Sequence, residues 1–269
     1  MIVAGIQFDI VWERPEENFS RVTDLIVEAA GAGAQLVALP EMFATGFSVA
    51  SPAVADHGEA VRRFLVDTAR QHGVWVLGGY AEAADPRPVN CCTLVAPDGS
   101  ETLHYRKIHP FGLAGELAVF DAGDSLHTAE VEGVRVTPLI CYDLRFPELF
   151  RIAAPATDLF VVVANWPVRR SHAWRTLLAA RAIDGMAWVL GVNRVGDAQG
   201  VHHRGDSALV DPMGEVVSSL SEISGVVVGE VDAARVRELR EKLGFLDDRR
   251  PDLYARLERA GCLLYTSPS

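Results

Sequence analysis

Three ionisable residues each stand at the end of an apolar, strand-like run. Glu41 ends LVALPE, Lys107 ends ETLHYRK and Cys141 ends VRVTPLIC. A thiol attacks as the thiolate, which a nearby cation and a helix N-terminus both favour. Lys107 could supply the first. The helix that Phe146-Pro147-Glu148 predicts, with Pro in its first turn, could supply the second. Glu41 could take the thiol proton and return it to a leaving group. Taken singly, each has a plainer reading: a loop acid, a surface cation, a small core residue. Long stretches of chain separate the three, so spacing alone does not bring them together. The carboxyl ends of strands in one α/β sheet system would do so, because a charged residue there is held rigidly yet faces a crevice.

The elements able to do this are legible as alternating patterns. Apolar, β-branched runs predict strands over 2–8, 35–39, 74–79, 134–140, 159–164, 188–192, 207–210 and 226–231. Segments 89–96 and 101–107, joined by Pro97-Asp98-Gly99, read as a hairpin. Phe19, Val22, Ile26 and Ala29 mark one helix face; Val61, Phe64, Leu65, Thr68 and Ala69 mark a second. Ser171 is expected to cap a helix running to about Asp184, and 233–242 and 253–259 also read as helical. No linker or charge block divides the chain, which predicts one α/β domain over 1–261. The uncharged CLLYTSPS at 262–269 reads as a tail, either a docking segment or a non-native extension.

Composition excludes several function classes. Lys+Arg 25 against Asp+Glu 36 gives a net charge of −11, without the basic footprint of a nucleic-acid partner. The 49% apolar and 23% charged content is that of an ordered globular chain. The longest apolar run, 159–164, is strand-sized, so no membrane span is expected. MIVAGIQFDIVWERP reads as a first strand and not as a signal peptide. Cysteines at 91, 92, 141 and 262 include no CxxC pair, so neither a disulfide framework nor a thiolate zinc site is indicated, and a reducing, cytoplasmic setting is expected.

Weaker signals have plain explanations. GAGAQL at 31–36 precedes a strand, where a dinucleotide fingerprint must follow one, and reads as a helix end and turn. GDSAL at 205–209 lacks the last glycine of a serine nucleophile elbow. His202 and His203 have no spaced third ligand and read as solvent-facing loop histidines. Cys91 and Cys92 lie in a strand pattern, with at least one expected in the core as an inert thiol.

Segments VALPEMFATGF, YRKIHPFGLAGELAVFDAG and LICYDLRFPELFR resemble, in order, three signature segments of the nitrilase (carbon–nitrogen hydrolase) superfamily. VVVANWPVRRSHAWRTLLAARAIDG, GVNRVG and GDSALVDPMGE resemble its second half, and LGFLDDRRPDLY its C-terminal segment. The resemblance implies an α-β-β-α sandwich and a Glu-Lys-Cys triad. Glu41 then matches the general base, Lys107 the cationic stabiliser and Cys141 the nucleophile. Glu116, in the pattern Glu116, Phe120, Gly123, matches a second glutamate that positions substrate and Lys107 or assists the base. The backbone N–H of Tyr142 would join Lys107 at the oxyanion. The implied chemistry is amide cleavage through a thioester, with no metal or organic cofactor. The resemblance also implies a homodimer or higher homo-oligomer paired through helices near the nucleophile. Leu149, Phe150, Trp174 and Leu178 are expected to form the apolar faces that pair.

LPEMFATGF, CYDLRFPEL, VANWP and ARAIDG most resemble the omega-amidase branch, which implies a small dicarboxylic monoamide such as 2-oxoglutaramate or succinamate as substrate. Its carboxylate needs a cation. Arg169 and Arg170 are candidates, against surface arginines or structural ion pairs of Arg145 and Arg170. Trp166 could wall the pocket or belong to the core. Another amidase or carbamoylase of the family, an acyltransferase using the same thioester, and a non-catalytic partner-binding member are the competing readings.

Overall fold

The computed structural model describes residues 1–49 and 52–260. Its strands are β1 (Ile2–Gln7), β2 (Leu36–Ala38), β3 (Trp75–Glu82), β4 (Val89–Val95), β5 (Glu101–Arg106), β6 (Ala129–Val131), β7 (Val134–Ile140), β8 (Leu159–Ala164), β9 (Trp188–Asn193), β10 (Val195–Ala198), β11 (Val201–Val210), β12 (Val216–Ser221) and β13 (Gly225–Glu230). Its α-helices are α1 (Pro15–Gly31), α2 (Gly58–His72), α3 (Glu116–Val119), α4 (Pro147–Ala153), α5 (Ser171–Gly185), α6 (Ala233–Leu243) and α7 (Pro251–Ala260).

The strands form two sheets. One has the order β13-β1-β2-β3-β4-β5; the other runs β10-β11-β9-β8-β7-β6, with β12 paired to β11. Within the first, β1, β2 and β3 are parallel; within the second, β7, β8 and β9 are parallel. Their C-terminal ends therefore gather at one rim of each sheet. The near-continuous apolar runs of β4, β8 and β9 follow from burial on both faces. One face meets the other sheet: Val3, Leu36, Leu77 and Leu94 share a core with Leu139, Leu190 and Val192. Gly5 lies so close to Val192 and Leu190 that a Cβ there would stand 2.9 Å from Val192 Cγ2. The other face meets helices. Ile6 and Phe8 pack with Val22 and Ile26 of α1 and Leu65 of α2. The second sheet is covered by α4 and α5 through Phe150, Trp174 and Leu178. The result is the α-β-β-α sandwich.

Several expectations need correction. Leu149, Phe150, Trp174 and Leu178 are all buried inside the chain, so they close this molecule's own core and are not the residues that could meet a second copy. Ser171 begins α5 without capping it, because its hydroxyl donates to Asp206 Oδ2 at 2.6 Å. His202 and His203 lie in β11 and not in a loop, and His203 is buried. Cys91 and Cys92 are both fully buried, on opposite faces of β4, in the helix-side and inter-sheet cores respectively. The CLLYTSPS tail, including Cys262, lies outside the described residues. Among the described residues no helix is long and apolar enough to cross a membrane.

Candidate active site

Each of the three strand-end residues is placed by backbone contacts of its own. After β2, Leu39 donates its N–H to Leu77 O at 2.8 Å and Phe43 donates to Gly79 O at 3.1 Å, which lays Glu41 across the end of β3. Gly79 permits this approach, since a Cβ there would stand 2.8 Å from Glu41 Cα. Lys107 follows β5; its N–H donates to Asn90 O and its carbonyl accepts from Gly123 N, both at 2.8 Å. Cys141 has φ +46, a left-handed conformation that costs energy for a residue with a Cβ and recurs at functional turns. It turns the chain sharply from β7 into a short 3₁₀ turn, Cys141–Arg145, followed by α4 at Pro147.

The side chains converge in a buried network. Lys107 Nζ donates to Glu41 Oε1 at 2.9 Å and to Glu116 Oε2 and Oε1 at 2.9 and 3.1 Å. Asn90 Nδ2 donates to the same two oxygens, Glu41 Oε1 and Glu116 Oε1, at 2.8 Å each. Glu41 Oε2 accepts from the backbone N–H of Asn165 at 2.9 Å, and Glu116 Oε2 from that of Phe111. Glu41, Lys107 and Glu116 are all 1% exposed or less, which excludes the surface readings of Glu41 and Lys107.

Electrostatics sets the resting protonation. Burial opposes the charge on Lys107, but Glu41 and Glu116 overcome it and hold its pKa above the usual lysine value. Burial pushes the Cys141 thiol well above its ordinary value, and the negative charge of Glu41 adds to this; Lys107 acts in the opposite direction but does not prevail. The thiolate-favouring influence expected of Lys107 is present but outweighed. Lys107 is already committed to two carboxylates, so the sulfur rests as a thiol and needs a base.

Asp143 joins the two halves of the site. Its buried carboxylate accepts from Tyr105 Oη at 2.8 Å, His109 N at 2.9 Å, His109 Nδ1 at 3.0 Å and Ile140 N at 3.1 Å. Tyr105 precedes Lys107 by two residues and Ile140 precedes Cys141 by one. The bonds therefore tie the lysine strand of one sheet to the thiol strand of the other.

A cavity of about 410 Å³ opens over the network, a volume suited to a small molecule. Glu41, Lys107, Cys141, Tyr142 and Asn165 line it, together with Trp12, Phe47, Phe111, Trp166 and Arg170. Trp166 is 3% exposed and donates Nε1–H to Arg170 O at 2.8 Å, so it belongs to both core and pocket. Arg145 and Arg170 make no ion pair among the described residues. Their guanidinium groups lie 5.0 Å from the ring centroids of Trp166 and Phe111 respectively. Burial, with the like charge of Arg145, lowers the Arg170 pKa. Arg169 also borders the cavity but is exposed. His203 borders it too, its pKa pushed down to about 4 by burial and by Arg194.

This geometry, a buried Glu-Lys-Glu array below a free thiol on a strained turn, accompanies a match over residues 2–241 to the family model described as carbon-nitrogen hydrolase. The chain belongs to the carbon-nitrogen hydrolase family. It is a hydrolase acting on carbon–nitrogen bonds other than peptide bonds. Among curated relatives, the Omega-amidase YafV of Escherichia coli strain K12 is 39% identical over 240 residues, covering 88% of this chain and 92% of that protein. The 2-oxoglutaramate amidase of Bacillus subtilis strain 168 is 32% identical, covering 94% and 98%. The structure of XC1258 from Xanthomonas campestris, a CN-hydrolase superfamily protein with an arsenic adduct in its active site, superposes with TM-score 0.86 at 32% identity, covering 93% of this chain and 97% of that one.

Sequence reasoning brought Glu41, Lys107, Cys141 and Glu116 together correctly and missed three polar partners. Asn165 follows β8 as Cys141 follows β7, so the strand-end argument could have found it. Asn90 was signalled only as a polar residue inside the apolar VNCCTLV. The tie that Asp143 makes between the sheets carried no local signal, because His109 and Tyr105 are 34 and 38 residues distant.

Proposed function

We propose that this carbon-nitrogen hydrolase is an omega-amidase-like enzyme that cleaves the terminal amide of a small carboxylate-bearing monoamide, such as 2-oxoglutaramate or succinamate, to the acid and ammonia. The observation that carries the reading is the joint placement, on one cavity of about 410 Å³, of Cys141 and the half-buried Arg170, which has no ion pair among the described residues. The names of the two curated relatives support the substrate class.

Glu41 takes the proton of Cys141 as its sulfur attacks the amide carbon. The oxyanion falls to the Lys107 ammonium and the backbone N–H of Tyr142, preorganised donors of a kind worth about 2.7–4 kcal/mol each. Glu41 passes its proton to the nitrogen, the C–N bond breaks and ammonia leaves. Water then gives a proton to Glu41 and attacks the thioester; the C–S bond breaks and the sulfur recovers its proton. Glu116 holds Lys107 in place throughout. Trp166 walls the acyl chain, and Arg170 takes the distal carboxylate by charge-assisted hydrogen bonds. Arg169, more exposed, adds attraction at the rim.

The chemistry needs a reduced thiol, and Cys91, Cys92 and Cys141 are all free; we place the enzyme in the cytoplasm on that ground. We also propose a homodimer or higher homo-oligomer. With the residues first nominated turned inward, its support is Ile152 of α4 and Ile183 of α5, exposed at 66% and 52% on the outer helical layer. Ammonia release from a panel of omega-monoamides, simple amides, nitriles and carbamoyl amines tests the substrate class. Highest kcat/KM on a carboxylate-bearing monoamide is the expected result. Preference for a nitrile or carbamoyl amine overturns it.

A further inference from the structure

We propose that Asn90 is a positioning residue for the reaction: its side-chain amide fixes Glu41 and Glu116 as a pair of ionised carboxylates and so keeps Glu41 competent to accept the thiol proton. The inference rests on the reading of Glu41 as base and deepens it.

The network places two carboxylates and one ammonium out of water, which leaves one negative charge in excess. Like carboxylates sharing a buried site tend to retain a proton between them. Lys107 offsets part of this. The backbone N–H groups of Asn165 and Phe111 add one donor to each carboxylate, and Asn90 Nδ2 bridges the two, sending one N–H to Glu41 Oε1 and one to Glu116 Oε1, at 2.8 Å each. Both of its donors thus go to two of the three oxygens that Lys107 binds. A donor to a carboxylate favours its charged form. The groups facing Glu41 from the surrounding elements are Lys107 after β5, Glu116 of α3, Cys141 after β7 and the Asn165 amide after β8. Among the described residues Asn90 is the neutral side chain that donates to the Glu41 carboxylate, so it stabilises the pair without competing with Lys107 for charge.

The other end of the amide supports a role beyond packing. Asn90 Oδ1 is buried and has no hydrogen-bond partner among the described residues. An asparagine kept only to satisfy a core would have both ends paired. Rotating the amide would aim Oδ1 at two carboxylates, so the orientation is fixed by the donors' task. The backbone of Asn90 also accepts from Lys107 N, but that bond survives any side-chain substitution.

The test uses Asn90→Leu, which keeps the volume and removes both donors, and Asn90→Ser, which keeps one short donor. Two readouts are followed against pH: kcat/KM on the best monoamide, and the rate of Cys141 alkylation by iodoacetamide, which needs no knowledge of the substrate. The expected result for Asn90→Leu is an acidic limb of kcat/KM moved up by about one pH unit and an alkylation midpoint moved down, because a Glu41 that holds its proton no longer opposes the Cys141 thiolate; kcat is reduced at least tenfold at pH 7 and KM changes by less than about threefold. Asn90→Ser should fall between Asn90→Leu and wild type, and it decides the matter if Asn90→Leu does not fold. An acidic limb at the wild-type position in a folded variant overturns the proposal, even if the rate is lower. Should the unsubstituted protein release no ammonia from monoamides, the substrate reading fails while the alkylation profiles still decide the role of Asn90.

Discussion

Asn165, at the end of β8, donates its backbone N–H to Oε2 of Glu41 at 2.9 Å and its side-chain amide to the carbonyl of the same residue, across the join between the two sheets. The carboxylate is thereby divided. Oε1 is held by Lys107 and Asn90, and Oε2 by Asn165, so the group cannot rotate away from the sulfur. Its position depends on both sheets packing as they do. The site is thus shared between two sheets: Glu41, Lys107, Cys141 and Asn165 stand just past strand ends, Asn90 lies in β4 and Glu116 begins α3.

Removing the Lys107 charge should damage both stability and turnover. Lys107 is the countercharge of two buried carboxylates, and breaking such a pair costs about 3–5 kcal/mol. Lys107→Met should therefore melt early as well as lose about a hundredfold or more in kcat, with little rise in KM because a ground-state carbonyl carries little charge. Adding Glu116→Gln removes one of the stranded charges and should restore much of the stability but not the rate. Lys107→Arg should rescue poorly, since a planar fork cannot sit where a point charge bridges two carboxylates. Denaturant melts and steady-state kinetics check this; a folded Lys107→Met with near-normal kcat removes the oxyanion role.

The protonation of Cys141 should respond to Glu41 with a definite sign. Glu41's charge raises the thiol pKa, so its loss in Glu41→Gln should lower it. Direct alkylation of Cys141 should then titrate at lower pH in Glu41→Gln than in wild type, even as amide turnover is abolished. Iodoacetamide rates across pH 6–10 measure this. A midpoint moved to higher pH would mean that Glu41 does not lie against the sulfur as described.

The alternation of strands and helices was legible because most elements bury an apolar face with a clear period. Segment 159–164 coincides with β8, and α1, α2 and α6 follow their apolar stripes. β10 and β12 were not legible: VGDA is short and VVSSLS is largely exposed, and the strand state of both comes from pairing with β11. The N-terminal half of β11, VHHRGD, was hidden because its residues are mostly polar, although His203 and Asp206 are buried and the segment pairs with β10. In the site, Glu41, Lys107 and Cys141 could be nominated from the sequence because they end apolar runs. The Cys141 protonation state could not, because it depends on Glu116 and Glu41 claiming Lys107 first, a relationship of distance and burial.

Arg170 should govern affinity for the acid end of the substrate. Replacing it with Leu should raise KM for succinamate about tenfold to a hundredfold, the worth of a charge-assisted contact, and leave KM for propionamide nearly unchanged. Arg169→Leu should change succinamate KM by less than about threefold, since that side chain is exposed and screened. Equal effects on the charged and neutral amide would remove Arg170 as the carboxylate partner.

His203 should make the fold acid-sensitive. Its folded pKa of about 4 lies below the ordinary histidine value, so the folded state binds fewer protons than the unfolded chain between these limits. Its contribution is present above about pH 6.5 and is lost as pH falls towards 4, up to about 3 kcal/mol. Urea unfolding at pH 7 and pH 4.5 should show a smaller loss on acidification for His203→Gln than for wild type. Equal losses would place His203 outside this linkage.

Self-association should be visible in solution. Light scattering at micromolar concentration is expected to give at least twice the 29.2 kDa chain mass, and Ile152→Glu with Ile183→Glu should reduce it. A monomer mass for the unsubstituted protein contradicts the proposal.

The central claim is that one thiol, Cys141, carries the acyl group. It is tested by ammonia release from 2-oxoglutaramate or succinamate by folded Cys141→Ala, set beside Cys91→Ser, Cys92→Ser and Cys262→Ser at equal folded concentration. Cys91 and Cys92 lie fully buried in the two cores, so their variants should lose stability before they lose turnover per folded molecule. The account predicts no detectable turnover for Cys141→Ala and largely retained turnover for the other three. Turnover by Cys141→Ala at a rate near wild type would contradict it.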